Sequence, residues 1–329
     1  MRYGSICSGI EAASVAWHPL GWEPRFFSEI DTFASSVLKA RYPSVPNHGD
    51  MTRYQEWPND SIDILVGGTP CQSFSAAGLR QGMDDPRGQL ALVYLGVLEK
   101  YRPRWIVWEN VPGVLTTNGG RDFGSFLWGL GQLGYRYAYR VLDAQFFGVP
   151  QRRRRVFVIG HLGDWRRPAA VLFERGSVRG DSPKSGAKGE TATGNSQSRP
   201  FTVRRIAPCL TSTYGKQPDN SDTALGPNLV VQSVALRGRE GGATAELGGG
   251  IATALRASQG GGDKAYVLTD RVRRLTPVEC ERLQGFPDNW TRTSDKTKDG
   301  PRYKAIGNSM AVPVMRWIGD RLAFVDTIP

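Results

Sequence analysis

The chain has 329 residues, 40% of them hydrophobic, enough to bury the core of one large domain and a smaller second one. Its 42 basic and 31 acidic residues leave a formal charge of +11, a field that attracts polyanions and favours nucleic acid as a partner. The four cysteines, Cys7, Cys71, Cys209 and Cys280, lack a C-x-x-C pair or a nearby histidine cluster, and no apolar run approaches the ~20 residues that span a bilayer; a metal site, a disulfide framework and a membrane protein are therefore disfavoured, and a cytoplasmic protein with reduced thiols is expected.

From residue 1 to about 160, short β-branched or aromatic runs alternate with helix-like segments, the pattern of a parallel sheet flanked by helices. Strands are predicted at 3–7, 25–28, 62–67, 105–109, 137–142 and 156–160, with helices at 11–20, 32–42, 89–101 and 122–133. In such doubly wound α/β sheets ligands gather beyond the carboxyl ends of the strands, so polar residues just after Cys7, Ser28, Gly67 and Glu109 are candidates for one shared site. From about 165 to 270 the chain turns rich in Gly, Ser, Thr and Arg, and residues 182–198 are nearly devoid of apolar side chains, which reads as loop or linker. Residues 206–215 and 251–260 share four of ten positions, a weak sign of a duplicated strand-and-loop unit. Regular structure returns at Thr276-Pro277-Val278-Glu279, a capping box with proline in the first helical position, opening a helix through Leu283. A last apolar helix is predicted over 313–324.

Three blocks carry the chemistry. Gly67-Gly68-Thr69-Pro70-Cys71-Gln72-Ser73 follows the apolar strand at 62–67, so Cys71 sits at a strand's carboxyl end among loop-forming residues rather than in a core. Trp108-Glu109-Asn110-Val111-Pro112 sets a carboxylate at the tip of a buried strand, a place for acid chemistry, for a helix cap or for an ion pair. In Gln151-Arg152-Arg153-Arg154-Arg155, strand alternation sends Arg153 and Arg155 to one face and Arg152 and Arg154 to the other, so one pair lines the site or both serve a solvated, phosphate-binding surface.

Pro70-Cys71-Gln72, Glu109-Asn110-Val111 and the 151–155 block, in this order, resemble the signature motifs of the DNA (cytosine-5)-methyltransferase family of bacterial or phage type. The resemblance extends to Ser8-Gly9-Ile10-Glu11, Glu29-Ile30-Asp31, Gly49-Asp50-Met51, Gly285-Phe286-Pro287 and Gly307-Asn308-Ser309, leaving only the middle insertion uncovered. It implies a doubly wound mixed sheet of the S-adenosylmethionine-dependent methyltransferase type, formed by residues 1–162 and 302–329, with a smaller, irregular β-rich target-recognition domain at 163–301.

The implied reaction is methyl transfer from S-adenosylmethionine to carbon 5 of cytosine in a specific double-stranded DNA sequence. Cys71 is the implied nucleophile at carbon 6, Glu109 the group at ring N3 and the exocyclic amine, and Arg155 the contact to O2, with Arg153 lowering the thiol pKa. The base must be flipped out of the duplex, and the loop at 72–87, with Gln72, Ser75 and Arg87, resembles the family's mobile lid. For the cofactor, Glu29 is placed for the ribose hydroxyls and Asp50 for the adenine amine. Cys7, Ser8, Gly9, Ile10, Ile30, Met51, Pro70, Leu90, Asn308 and Ser309 complete the pocket by the same resemblance. Gln151, Arg204, Arg205, Arg237 and Arg239 are the further candidates for DNA contact.

The chain departs from the family at Cys7 and Ile30, where aromatics are usual, and in keeping a single Gly9 where several glycines are found. Fewer stacking partners for the adenine follow from that. No metal is implied, and a monomer is expected. Two rivals remain: an RNA cytosine-5 methyltransferase on the same scaffold, disfavoured by the large insertion, and a catalytically silent DNA binder, disfavoured by intact Cys71, Glu109, Arg153 and Arg155.

Overall fold

The computed structural model describes residues 1–69, 89–173 and 275–328, with the strand backbone at 207–208, 232–239, 242–248, 264–268 and 272–274. Its centre is a six-stranded mixed sheet in the order β2-β1-β3-β4-β7-β5. The strands are β1 (Arg2–Ile6), β2 (Glu23–Ser28), β3 (Ile64–Gly67), β4 (Trp105–Asn110), β5 (Tyr135–Asp143) and β7 (Arg154–Leu162). The first four pair in parallel, whereas β7 runs antiparallel to both β4 and β5. A two-residue strand β6 (Gln151–Arg152) precedes β7 and pairs with β8 (Ala207–Pro208).

Period-two alternation explains why the sheet is buried on both faces. Ile64, Val66, Trp105, Val107, Phe157 and Ile159 point into one apolar layer. Leu65, Ile106, Trp108, Val156 and Val158 point into the other. The second layer is closed by α3 (Gln89–Tyr101) and α4 (Arg121–Gln132). On the first lie α1 (Ala12–Trp17), α5 (Arg166–Leu172), α6 (Pro277–Gln284), α7 (Asp299–Asn308) and α8 (Val312–Asp326), while α2 (Thr32–Arg41) contributes Ala34 and Val37. The predicted capping box is present: Thr276 and Glu279 bond reciprocally at the start of α6, and Gly285 ends it at φ 81°.

Three differences from the sequence expectation concern boundaries. The helix predicted at 11–20 breaks at Trp17, because His18-Pro19-Leu20 tightens into a 3-10 turn. Helices α5 and α7 are not predicted by the sequence pattern. Pro168 interrupts the 3.6-residue apolar period of α5, and α7 carries glycines and charges, so neither announces itself. Val171 and Leu172 of α5, with Leu275, Cys280 and Phe286 around α6, are buried in the first apolar layer, so that core takes in residues that the sequence assigns to the insertion.

Within the insertion, β9 (Gln232–Arg239), β10 (Gly242–Gly248), β11 (Lys264–Leu268) and β12 (Val272–Arg274) form an antiparallel sheet in the order β10-β9-β11-β12. Arg237 and Arg239 lie on β9. The weak repeat at 206–215 and 251–260 falls outside the described residues apart from Ala207–Pro208. Among the described residues, no helix is long and apolar enough to cross a membrane.

Candidate active site

Parallel register brings the strand ends to one edge: Ile6 pairs with Ser28 and with Gly67, and Gly67 pairs with Trp108. The segments after β1, β2, β3 and β4 therefore meet at the point where strand order reverses between β1 and β3, the crevice expected to hold a ligand. Because β7 is antiparallel, its amino end joins them there, with Glu109 opposite Phe157 and Asn110 opposite Val156. This reversal brings the arginine run to the tip of β4.

Alternation then sorts the arginines as expected. Arg152 and Arg154 are exposed, whereas Arg153 is buried and Arg155 mostly so. Arg155 Nε lies 3.0 Å from Glu109 Oε1, and both side chains are 13% exposed, so the pair forms one wall of the crevice and still reaches solvent. The Arg153 guanidinium donates to the carbonyls of Gly307 (3.2 Å) and Ser309 (2.6 Å), where a cation suits the partial negative charge of a helix carboxyl end. Its backbone N–H donates to Asp143 Oδ1 at 2.9 Å.

Gln151 does not fit the expected DNA contact. It is fully buried, and its amide donates to the Leu283 carbonyl (2.7 Å) and to Gln284 Oε1 (3.1 Å). Its strand face is the same inward face as that of Arg153, which is why a polar residue beside four arginines ends as a packing contact to α6.

Cys71 and its neighbours Pro70, Gln72, Ser75 and Arg87 lie outside the described residues, as do Arg204 and Arg205. Thr69, the last described residue before Cys71, is held by β4. Asn110, 4% exposed, donates from Nδ2 to the Thr69 carbonyl at 2.8 Å, and Trp108 Nε1 lies 3.4 Å from Thr69 Oγ1. A Cβ on Gly68 would stand 2.4 Å from the Glu109 carbonyl oxygen, so only glycine allows this close approach of the two strand ends.

A cavity of about 560 Å³ opens beside this wall, within the range of small-molecule pockets. Cys7, Gly9, Glu29, Ile30, Asp50, Met51, Leu90, Glu109, Arg153, Arg155 and Asn308 all line it, so the expected cofactor residues and the expected base-handling residues share one space. Ser8 and Ser309 line a smaller inner recess that also reaches Cys7, Gly9, Glu109 and Asn308. Ile10 is fully buried in the first apolar layer, so it supports the loop from behind.

Backbone donors set the acidic side chains. Gly9 N–H donates to Glu29 Oε2 (2.7 Å) and Asp31 N–H to Glu29 Oε1 (2.8 Å), which fixes the carboxylate at the cavity rim. Asp50 accepts from Thr52 N–H at 2.9 Å as the cap of a short 3-10 turn. Burial, followed by the nearby charges of Glu29 and Asp50, pushes the Cys7 thiol up to about 12, so this cysteine stays protonated and is no rival nucleophile. Ile30 is 73% exposed and Met51 buried, an apolar pair at the mouth where the sequence lacks aromatics.

Sequence reading misses the groups that hold this site together: Asn110 on Thr69, Asp143 on Arg153, Gln284 on the Ile306 carbonyl (2.8 Å), and Lys304 against Asp31 at 2.6 Å. Asn110 stands within one of the motifs, but nothing in the chain's local pattern points to its partner. Among the described residues, no cluster of three or more His, Cys, Asp or Glu side chains is arranged to hold a metal.

The family model for C-5 cytosine-specific DNA methylases matches residues 1–323. A protein of Escherichia phage P1 named DNA N-6-adenine-methyltransferase is 35% identical over 461 residues, an alignment that takes in 97% of this chain and 61% of the phage protein, so the chain spans less than two thirds of that relative. The Type II methyltransferase M2.BsuMI of Bacillus subtilis (strain 168) is 30% identical over 335 residues, covering 98% of this chain and 75% of the relative. Among solved structures, S. pombe Dnmt2 methyltransferase superposes with a TM-score of 0.61 at 18% identity, with all of both chains covered, a likeness of fold.

Proposed function

This chain belongs to the C-5 cytosine-specific DNA methylase family, and from that premise we infer that it transfers a methyl group from S-adenosylmethionine to carbon 5 of a cytosine flipped out of double-stranded DNA, through a covalent adduct of Cys71. The observation that carries the reading is the Glu109–Arg155 pair, 3.0 Å apart at the tip of β4 beside the 560 Å³ cavity, with the Thr69 backbone leading to Cys71 held next to it.

The cavity suits the cofactor. Two carboxylates, Glu29 and Asp50, face it as acceptors for ribose hydroxyls and an adenine amine; Ile30, Met51 and Leu90 offer apolar surface for a ring; the 7–12 loop and Asn308 close the inner end. Once bound, S-adenosylmethionine supplies an electrophilic methyl group on sulfonium. The protein's part is to make carbon 5 nucleophilic. Cys71 thiolate adds to carbon 6, Glu109 stabilises the charge developing at N3 and the amine, and Arg155 holds both Glu109 and the O2 side of the ring. Carbon 5 would take the methyl group as its bond to sulfur breaks, leaving the neutral thioether S-adenosylhomocysteine; carbon 5 then loses its proton to a base, and the electron pair returning to the ring expels Cys71.

The test is transfer of labelled methyl to mixed-sequence duplex DNA and to RNA, with identification of the product nucleoside. 5-Methylcytosine in DNA supports the reading, and product in RNA alone overturns the choice of substrate. The phage P1 relative's name supplies a second reading, methylation of adenine at N-6. An exocyclic amine attacks sulfonium directly and needs no thiol, so N-6-methyladenine formed equally well by Cys71→Ser would establish that alternative.

Two further outcomes follow. Glu29→Ala is expected to weaken binding of S-adenosylhomocysteine by ~10- to 100-fold, the scale of a lost charge-assisted hydrogen bond, as read by titration calorimetry. Gly68→Ala forces the β3 end away from the Glu109 carbonyl. It is expected to lower kcat by about 10²-fold while leaving the KM for DNA within about threefold, since it misplaces reacting groups without removing a DNA contact.

A further inference from the structure

The turn after β1 carries left-handed backbone at alternate residues: Cys7 at φ 49°, Gly9 at φ 56° and Glu11 at φ 62°. Glycine takes this conformation freely, whereas another L-residue is disfavoured there. Glutamate at such a place calls for a compensating role, and its side chain supplies one. Glu11 is 1% exposed and caps α1, accepting from the Ser14 backbone N–H at 3.2 Å. Its two oxygens also bond the hydroxyls of Ser14 on α1 and Ser5 on β1, and Ser14 Oγ is in turn 2.7 Å from the Tyr3 hydroxyl. The carboxyl thus stitches strand to helix directly beneath the loop whose Gly9 N–H fixes Glu29 and whose residues line the inner recess.

Among the described residues, no cation takes part in these interactions. Among the described residues, the titratable groups facing Glu11 are Tyr3 from β1, Glu29 after β2, Tyr42 after α2 and, around the inner recess, Cys7 and Glu109. Every one of them is neutral or negative. A carboxylate among such neighbours is a buried charge without a counter-ion, whereas a carboxylic acid is satisfied, since the Ser14 hydroxyl can accept its proton and donate its own to the Tyr3 hydroxyl, while Ser5 donates to the other oxygen.

We propose that Glu11 is the positioning residue of the cofactor loop and that it braces the loop in its protonated form, so that cofactor affinity declines when it ionises. The proposal rests on the S-adenosylmethionine reading above. Burial is the largest influence on this group and pushes its carboxyl up to about 7, with the charge of Glu29 adding to the rise and the serine bonds opposing it. The sign follows: the folded value lies above the ordinary 4.5, so the folded state holds the proton more tightly. Stability from this group is fully present below about 4.5, falls as pH rises, and is lost above about 7.

Titration calorimetry with S-adenosylhomocysteine, from pH 6 to pH 8.5, tests this on wild type, Glu11→Gln and Glu11→Gly. For wild type the dissociation constant is expected to rise roughly fivefold between pH 7 and pH 8 and to steepen toward tenfold per unit beyond, as the competent fraction falls. Glu11→Gln, neutral at every pH and still able to bond both serines, is expected to lose that slope and stay at the acid-limit affinity. Glu11→Gly relieves the backbone but removes the brace, and is expected to bind weakly at all pH values. Thermal unfolding of the ligand-free proteins adds a readout independent of the ligand: the fall in Tm between pH 5 and pH 7.5 is expected to shrink in Glu11→Gln. Binding by wild type that is flat with pH, or a slope retained by Glu11→Gln, overturns the proposal alone. No binding by wild type at any pH overturns the cofactor reading and this proposal together.

Discussion

Cys71→Ser is expected to abolish methyl transfer, by a factor of roughly 10⁴ or more, while leaving S-adenosylhomocysteine binding within about twofold of wild type. The size follows from the chemistry. Cytosine carbon 5 has little nucleophilic character until carbon 6 carries a covalent electron donor, and a serine hydroxyl ionises far too weakly near pH 7 to replace a thiolate. The cavity residues Glu29, Asp50 and Asn308 come from other strand and helix ends, which is why binding should survive. Rapid-quench assays with labelled cofactor measure the first quantity and calorimetry the second. Duplex DNA carrying 5-fluorocytosine at the target adds a direct check, because fluorine is not eliminated as a proton is: wild type is expected to stay covalently attached and the serine variant to run free on a denaturing gel. A serine variant that retains more than about a tenth of the activity would remove Cys71 from the mechanism.

The second large effect concerns the frame rather than the chemistry. Arg302→Met is expected to cost about 3–5 kcal/mol of stability in denaturant unfolding, because it leaves the Glu281 carboxylate buried without its counter-ion. Glu281 is 0% exposed, and its Oε1 lies 3.2 Å from Arg302 Nη2 and accepts from the Thr291 N–H at 2.9 Å and from the Thr291 hydroxyl. Arg302 Nε donates onward to Thr291 Oγ1 at 2.9 Å, and Nη1 lies 3.3 Å from Asp299. These contacts lock α6 against α7, whose carboxyl end presents Asn308 to the cavity. Replacing both members, Glu281→Leu with Arg302→Met, is expected to recover most of the loss, since an apolar pair of similar volume needs no counter-ion. A double variant as unstable as the single one would mean that packing at this seam outweighs charge.

Much of the site is legible in the amino-acid sequence. The strands predicted at 62–67 and 105–109 agree with β3 and β4 to within one or two residues at each end, and the inward faces of Arg153 and Arg155 and the capping box at Thr276 agree as well, because period-two alternation and cap chemistry act over a few neighbouring residues. The grouping of Glu29, Asp50 and Asn308 is also legible, through motifs whose order along the chain resembles a family. Gln151 misleads for the same reason that the arginines read correctly. Alternation assigns a face, but whether that face meets DNA or α6 depends on a helix 126 residues further on, at Pro277. Glu11 reads as part of a motif, and its burial against Ser5 and Ser14 depends on how α1 packs on β1.

The information held in short stretches of this chain is therefore local: which segments are strands, which residues end them, and which side chains share a face. Direction and proximity come from the packed fold. Only the antiparallel run of β7 against β4 sets Arg155 3.0 Å from Glu109, and only the docking of α7 gives Arg153 the Gly307 and Ser309 carbonyls as partners. Strand direction and helix docking depend on burying both faces of one sheet at once, a sum over the whole core that no short window of residues contains.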